Sequence, residues 1–215
     1  MNLLDTYRHK GLRLRLVAEL RAKGIRDERV LEAINRVPRH LFLESSFVNF
    51  AYQDKAFPIA AGQTISQPYT VAFQTQTLGV EKGEKVLEVG TGSGFQAAVL
   101  MEMGASLFSI ERQQALFQRT IPFLQSLGYR GRFFFGDGYQ GLPEWAPFDK
   151  IIVTAGAPYV PEALLVQLKI DGVMVIPVGD DVQNMIKIVR LSDDEFEQVD
   201  LGACAFVPML EGVNK

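Results

Sequence analysis

One cysteine, two histidines and one tryptophan occur in 215 residues. Cys204 alone excludes an internal disulfide and fits a reducing compartment. With only His9 and His40 beside it, no dedicated zinc site is expected. No apolar run approaches the roughly 20 residues that a membrane-spanning helix needs. The basic opening MNLLDTYRHKGLRLRL lacks the continuous apolar core of a secretory leader. A cytoplasmic protein without a membrane partner is therefore expected. No GKS or GKT follows any glycine cluster, which excludes a P-loop.

The chain is long enough for one substantial core, and 47% hydrophobic with 22% charged residues is ordinary for a globular protein. Net charge is −3 but uneven: residues 1–40 hold ten Lys/Arg against five Asp/Glu. A basic arm can contact nucleic acid, but interleaved acids and the lack of an aromatic-basic pattern favour a solvated helix face. No nucleic-acid partner is expected.

Leu12, Leu16, Val17 and Leu20 recur at helical spacing, and Gly24 ends that segment. Asp27 is placed to cap a second helix carrying Val30, Leu31, Ile34 and Val37, which Pro38 ends. Residues 43–67 read as an irregular connection with room for a short strand. From residue 85 short apolar runs alternate with helical segments: KVLEV, SLFSIE, RFFF, DKIIV and GVMVIPV. One helix is expected over 113–127, with Pro122 marking a kink or a boundary, and another at PEALLVQLK. Such alternation predicts βαβ units and a parallel sheet covered on both faces. MIKIVRL and EFEQVDL are joined too closely for a crossover and should pair antiparallel. The expected fold is α/β and Rossmann-like, with a mostly parallel seven-stranded sheet, helices on both faces and an N-terminal helical extension. Residues 1–80 would form the substrate-side region and 81–215 the cofactor-binding sheet, within a single domain.

VLEVGTGSG sets Gly90, Gly92 and Gly94 between a strand and a helix. The dinucleotide fingerprint GxGxxG would require its third glycine where Phe95 stands. Glu88, two residues before the first glycine, suits a ligand with a positively charged end better than a pyrophosphate. Glu111, at the end of the next strand, can accept hydrogen bonds from both ribose hydroxyls. Asp137, in the GDG that ends the third, can accept from an adenine amino group. A nucleoside with a cationic tail fits three acids around one crevice, and S-adenosylmethionine is such a molecule, so the expected fold is that of a class I methyltransferase. The amino-methylating DNA enzymes carry N/D-P-P-Y/F after the fourth strand. The corresponding TAGAPYVP lacks the leading Asn/Asp and the paired proline.

The chain resembles the protein-L-isoaspartate O-methyltransferases. The resemblance is carried by GI-x-D-x-x-VL-x-AI-x-x-VPR (24–39), AY-x-D (51–54), GQTISQPY-x-VA (62–72), VLEVGTGSGFQAAVL (86–100), SIER (109–112), GDG (136–138), APFDKIIVTAGAP (146–158) and FVP (206–208). GQTISQPY ahead of the glycine loop is the specific element. Phe95, Gln76 and Asp171 depart from the usual Tyr, Glu and Gly of that pattern. The resemblance implies repair of damaged proteins by methyl transfer from S-adenosylmethionine to the α-carboxylate of L-isoaspartyl residues. It implies Ser66 as the catalytic serine. It implies cofactor contacts at Thr64, Ile65, Gly90, Thr91, Gly92, Ser93, Gly94, Glu111, Asp137 and Gly138. Isoaspartyl proteins would be the partners of a monomeric enzyme.

A carboxylate nucleophile is already ionised at neutral pH, so no general base is needed. Opposite charges neutralise during the transfer, which favours an uncharged pocket that orients the acid. Ser66 would aim the carboxylate by hydrogen bonding. Its place before Pro68 and VAFQTQTL equally suits a helix N-cap, and one residue could serve both purposes.

Overall fold

A computed structural model of the chain describes residues 5–215. Thr6 and His9 form a reciprocal capping box at the start of α1 (Tyr7–Ala22). Asp27 caps α2 (Glu28–Arg36) by accepting from the Arg29 N–H at 2.9 Å, the role its position predicted. Much of the basic excess is taken up in ion pairs: Arg13 with Asp5, Arg21 with Glu28, Lys23 with Asp54 and Arg29 with Asp27. β1 (Phe57–Pro58) and β2 (Thr64–Ile65) form a small antiparallel pair within the irregular connection. They lead into α3 (Pro68–Leu78).

The sheet follows as β3 (Lys85–Val89), β4 (Ser106–Glu111), β5 (Arg132–Phe135), β6 (Phe148–Val153), β7 (Leu168–Val178), β8 (Gln183–Arg190) and β9 (Phe196–Cys204). Its order is β5-β4-β3-β6-β7-β8-β9. The first five strands in that order are parallel, and β8 and β9 close it as an antiparallel meander. Between the strands lie α4 (Phe95–Glu102), α5 (Gln114–Ser126) and α6 (Glu162–Leu165).

Alternation along each strand divides the apolar residues between two faces. Val86, Leu107, Ile152 and Val175 join α1–α4 in one core, so the N-terminal helices and the sheet share buried contacts. Leu87, Val89, Phe108, Ile110 and Ile151 join the other, with Leu164 of α6.

Two expectations change. Pro122 neither ends nor delimits α5; it sits on the helix's exposed side with the helix continuous around it. The helix expected at PEALLVQLK shrinks to four residues, because β7 begins at Leu168. Leu168 pairs with Phe148, and the register slips before Val173 meets Lys150. Asp171 takes up that irregularity with a left-handed φ of 63°.

Candidate active site

The crevice lies at the carboxyl ends of β3, β4 and β6 and encloses about 840 Å³ including its open mouth. Ligands of open α/β sheets bind at such a point, where the chain winds to opposite sides of neighbouring strands. The glycine loop forms its floor. Gly90 has φ 97°, and a Cβ there would come within 2.5 Å of Thr154 Oγ1. That hydroxyl lies 3.0 and 2.8 Å from the carbonyl oxygens of Val89 and Gly90, so β6 fixes the loop's first turn. Thr120 Oγ of α5 donates to the Gly92 carbonyl at 2.8 Å and fixes the second.

Gly90, Thr91, Gly92 and Ser93 line the crevice. Glu111 joins them, 4% exposed, with one oxygen accepting from Gly92 N–H and the other from Gln113 N–H, both at 2.8 Å. Each oxygen keeps a lone pair for a further donor. Gly138 lines the wall, but Asp137 does not: its carboxylate holds the N–H groups of Tyr139 at 2.9 Å and Gly212 at 2.8 Å. Gly94 also lies outside the wall and begins α4 against Leu124 and Thr120.

Glu88 requires a correction. Its side chain is fully buried on the Val86 face of β3, so it does not reach the crevice. One oxygen accepts from Ser109 Oγ at 2.6 Å, and Ser109 lies 2.6 Å from Thr91 Oγ1. The other oxygen has no hydrogen-bond partner among the described residues. Burial pushes the Glu88 carboxyl up to about 8, the Glu111 charge adds to that, and the Ser109 hydrogen bond opposes it. An acid in this position supports the glycine loop from behind, through Ser109 and Thr91.

Gln63, Thr64, Ile65 and Ser66 line the same crevice. Ser66 is half-buried and is not the N-cap of α3: that position belongs to Gln67, whose side chain caps nothing. The cap comes from elsewhere in the chain, where Asp54 Oδ1 accepts from Tyr69 N–H at 2.7 Å. Of the departures noted in sequence, Gln76 uses its amide oxygen to accept from Arg26 N–H at 2.5 Å and Asp27 N–H at 2.9 Å. Phe95 is buried in the crevice wall.

Sequence reasoning missed the far wall. Val207, Pro208, Met209 and Leu210 close the crevice as a strap. Gly156 N–H donates to Val207 O at 2.8 Å, and Met209 N–H to Gly156 O at 2.7 Å. The Gln183 amide accepts from Phe206 N–H and donates to its carbonyl, at 2.8 and 3.2 Å. On the strap's side each of these bonds is made by backbone, so the motif FVP was its sole trace in the sequence. Glu111 and Arg112 are the charged residues in the lining, and the Arg112 guanidinium donates to the carbonyls of Gly212 and Glu211. Far from the crevice, Asp5, His9 and His40 gather ligand-type atoms within 4.8 Å, but Arg13 holds both Asp5 oxygens at 3.1 and 2.9 Å.

The family model for protein-L-isoaspartate(D-aspartate) O-methyltransferase matches residues 12–214. The chain belongs to the protein-L-isoaspartate O-methyltransferase family. It is 62% identical to the protein-L-isoaspartate O-methyltransferase of Christiangramia forsetii, over 98% of this chain and 99% of that one. The one from Flavobacterium psychrophilum is 59% identical over the same shares. A solved protein-L-isoaspartate O-methyltransferase superposes with TM-score 0.83 at 28% identity, covering 91% of this chain and 65% of that chain. A Plasmodium falciparum structure, described as a β-aspartate methyltransferase in complex with S-adenosyl-L-homocysteine, shares the fold at TM-score 0.79 and 24% identity. It covers 94% of this chain and 98% of that one. The seven-stranded sheet and N-terminal helices of the present chain are thus those of the methyltransferase family.

Proposed function

We propose that the chain methylates the α-carboxylate of L-isoaspartyl residues in damaged proteins, with S-adenosylmethionine as donor and Ser66 as the residue that aims the acceptor. The observation that carries this reading is the uncharged lip Gln63–Ser66, which lines one crevice with the glycine loop while the lining cation, Arg112, is bound to the carbonyls of Gly212 and Glu211.

The crevice fits that cofactor by its own chemistry. The close approach of Gly90 to Thr154 leaves backbone, not side chain, at the floor. Glu111 offers acceptors for ribose hydroxyls beside Gly92. Thr64, Ile65, Gly90–Ser93, Glu111 and Gly138 would hold the cofactor, with Asp137 fixing Tyr139 and Gly212 behind the wall. Glu88 and Gly94 would act from behind the loop. When bound, the cofactor supplies an electrophilic methyl group on a sulfonium.

The chain's own contribution is orientation. A cation placed beside the acceptor carboxylate would stabilise it most before transfer, when its charge is full, and so raise the barrier. A hydroxyl avoids that penalty while still directing the oxygen. The strap and lip together restrict water access to the reacting carboxylate. No proton has to be removed from a carboxylate, and the carboxylate in the lining, Glu111, is held by the N–H groups of Gly92 and Gln113.

Protein, not nucleic acid, is the acceptor in this reading, and a monomer in the cytoplasm suffices for it. The test is to incubate the protein with methyl-labelled S-adenosylmethionine and matched peptides containing isoaspartate or normal aspartate, with tRNA and DNA as controls. Label confined to the isoaspartyl peptide is expected. Label on nucleic acid, or equal label on both peptides, would overturn the assignment.

A further inference from the structure

The Ser66 hydroxyl makes no hydrogen bond among the described residues, so the chain on either side must hold it in place. The residues that follow it are gripped by one carboxylate. Asp54 Oδ1 accepts from Tyr69 N–H at 2.7 Å, and Oδ2 from Gln67 Nε2 at 3.0 Å and Lys23 Nζ at 2.6 Å. The Asp54 side chain is only 2% exposed. Lys23 follows the last residue of α1, so the same group ties the N-terminal helix to the start of α3.

Asp54 is itself held from below. Arg39 is buried, and its Nε donates to Ala51 O at 3.1 Å and its Nη2 to Lys55 O at 3.2 Å, clamping the turn on both sides of Asp54. Its guanidinium packs over the Phe95 ring, 4.7 Å from the centroid. Phe95 starts α4 directly after the glycine loop and lines the crevice. Burial pulls the Arg39 guanidinium down to about 9, and the Asp54 charge opposes that shift. A continuous set of contacts therefore runs from the cofactor side of the crevice, through Phe95, Arg39 and the 51–55 turn, to Asp54 and the residues next to Ser66.

We propose that Asp54 is a positioning residue for the methyl transfer: it clamps Gln67 and Tyr69 and so sets the Ser66 hydroxyl at a fixed distance from the glycine loop. This rests on the reading of Ser66 given above. A helix cap need not come from a neighbouring segment. Here it does, and the result is that the lip is registered against the cofactor side of the site.

The test compares Asp54→Ala, Asp54→Asn, Ser66→Ala and the Asp54→Ala/Ser66→Ala double variant. It measures turnover of an isoaspartyl peptide, affinity for S-adenosylhomocysteine and melting temperature. Asp54→Ala should lower kcat by about 30-fold with cofactor affinity within about threefold of wild type. Asp54→Asn keeps an acceptor for the Tyr69 N–H and should recover kcat to within about fivefold. In the Ser66→Ala background, Asp54→Ala should cost less than about twofold, because the two act through one group. An unchanged kcat in Asp54→Ala, or full additivity in the double variant, overturns the proposal. If Ser66→Ala alone turns over normally, the serine reading itself falls. If Ser66→Ala is slow and Asp54→Ala is normal, only the positioning role falls. Should Asp54→Ala not fold, Gln67→Ala removes one strut from a half-buried position. A fall in kcat that disappears in the Ser66→Ala background then supports the proposal, and no fall overturns it.

Discussion

Glu88 and Ser109 lie opposite each other in adjacent parallel strands, and the serine hydroxyl donates to the carboxyl across 2.6 Å. The pair sits under the glycine loop with Thr91 as its link to the crevice. Its energetics depend on a proton. The Glu88 carboxyl is held up to about 8 in the folded chain against 4.5 as its ordinary value. The folded state therefore binds that proton more tightly than the unfolded state, and stability falls as pH rises between those values. Glu88→Gln removes the titration. Relative to wild type, the variant should gain on the order of 3 kcal/mol between pH 5 and pH 8. Urea midpoints of both proteins at the two pH values measure this; a difference that does not change with pH would count against a protonated Glu88.

Ser66→Ala should lower turnover of an isoaspartyl peptide by about 100-fold, with S-adenosylhomocysteine affinity changed by less than about threefold. The separation follows from the loop, strands and strap that hold the cofactor without the serine hydroxyl. Single-turnover kinetics and calorimetric titration give the two numbers. Equal losses in both would show that the serine serves the cofactor instead of the acceptor.

Gly90→Ala forces a left-handed φ of 97° on an alanine and drives its Cβ to 2.5 Å from Thr154 Oγ1. A loss of about 2 kcal/mol in stability, with weakened cofactor affinity, is expected. Adding Thr154→Ala removes the steric part but not the backbone part, so the double variant should recover partially. Complete recovery would mean that backbone strain at this position is negligible.

The left-handed Asp171 and its neighbour Gly172 should respond in opposite directions. Asp171→Gly relieves a φ of 63° on an exposed residue and should raise stability by about 0.5 kcal/mol without affecting turnover. Gly172→Ala would bring a Cβ to 2.7 Å from Lys169 O, and should cost about 1–3 kcal/mol. Thermal melts of the two variants decide the matter; a destabilised Asp171→Gly would show that the aspartate side chain is needed there.

What the sequence revealed follows from the range of the interactions involved. Gly90 to Ser93 and Glu111 were legible because a strand, a tight turn and a helix are local events, and the next strand's end lies at a regular interval. Glu88 was misplaced through strand parity. It shares the face of Val86, not that of Leu87 and Val89, and counting by two from Val86 would have put it in the interior. Ser66 looked like a cap because caps are usually local, whereas Asp54 reaches α3 from a separate turn. The helix at PEALLVQLK had helical spacing, but pairing of Leu168 with Phe148 drew its second half into the sheet. The strap carries no chemically distinctive side chain, so FVP alone pointed to it and did not mark it as a wall.

The strap has a consequence for how the site comes into being. Its residues 207–210 line one crevice with Gln63–Ser66, although most of the chain lies between them in sequence. Contacts of such separation form late, after the intervening loops have closed at an entropic cost. The central strands can pair before the crevice exists, so a partly folded chain would hold a glycine loop with no enclosure above it. Affinity for the cofactor should consequently arise only with the completed fold, which makes ligand binding a report on the whole molecule.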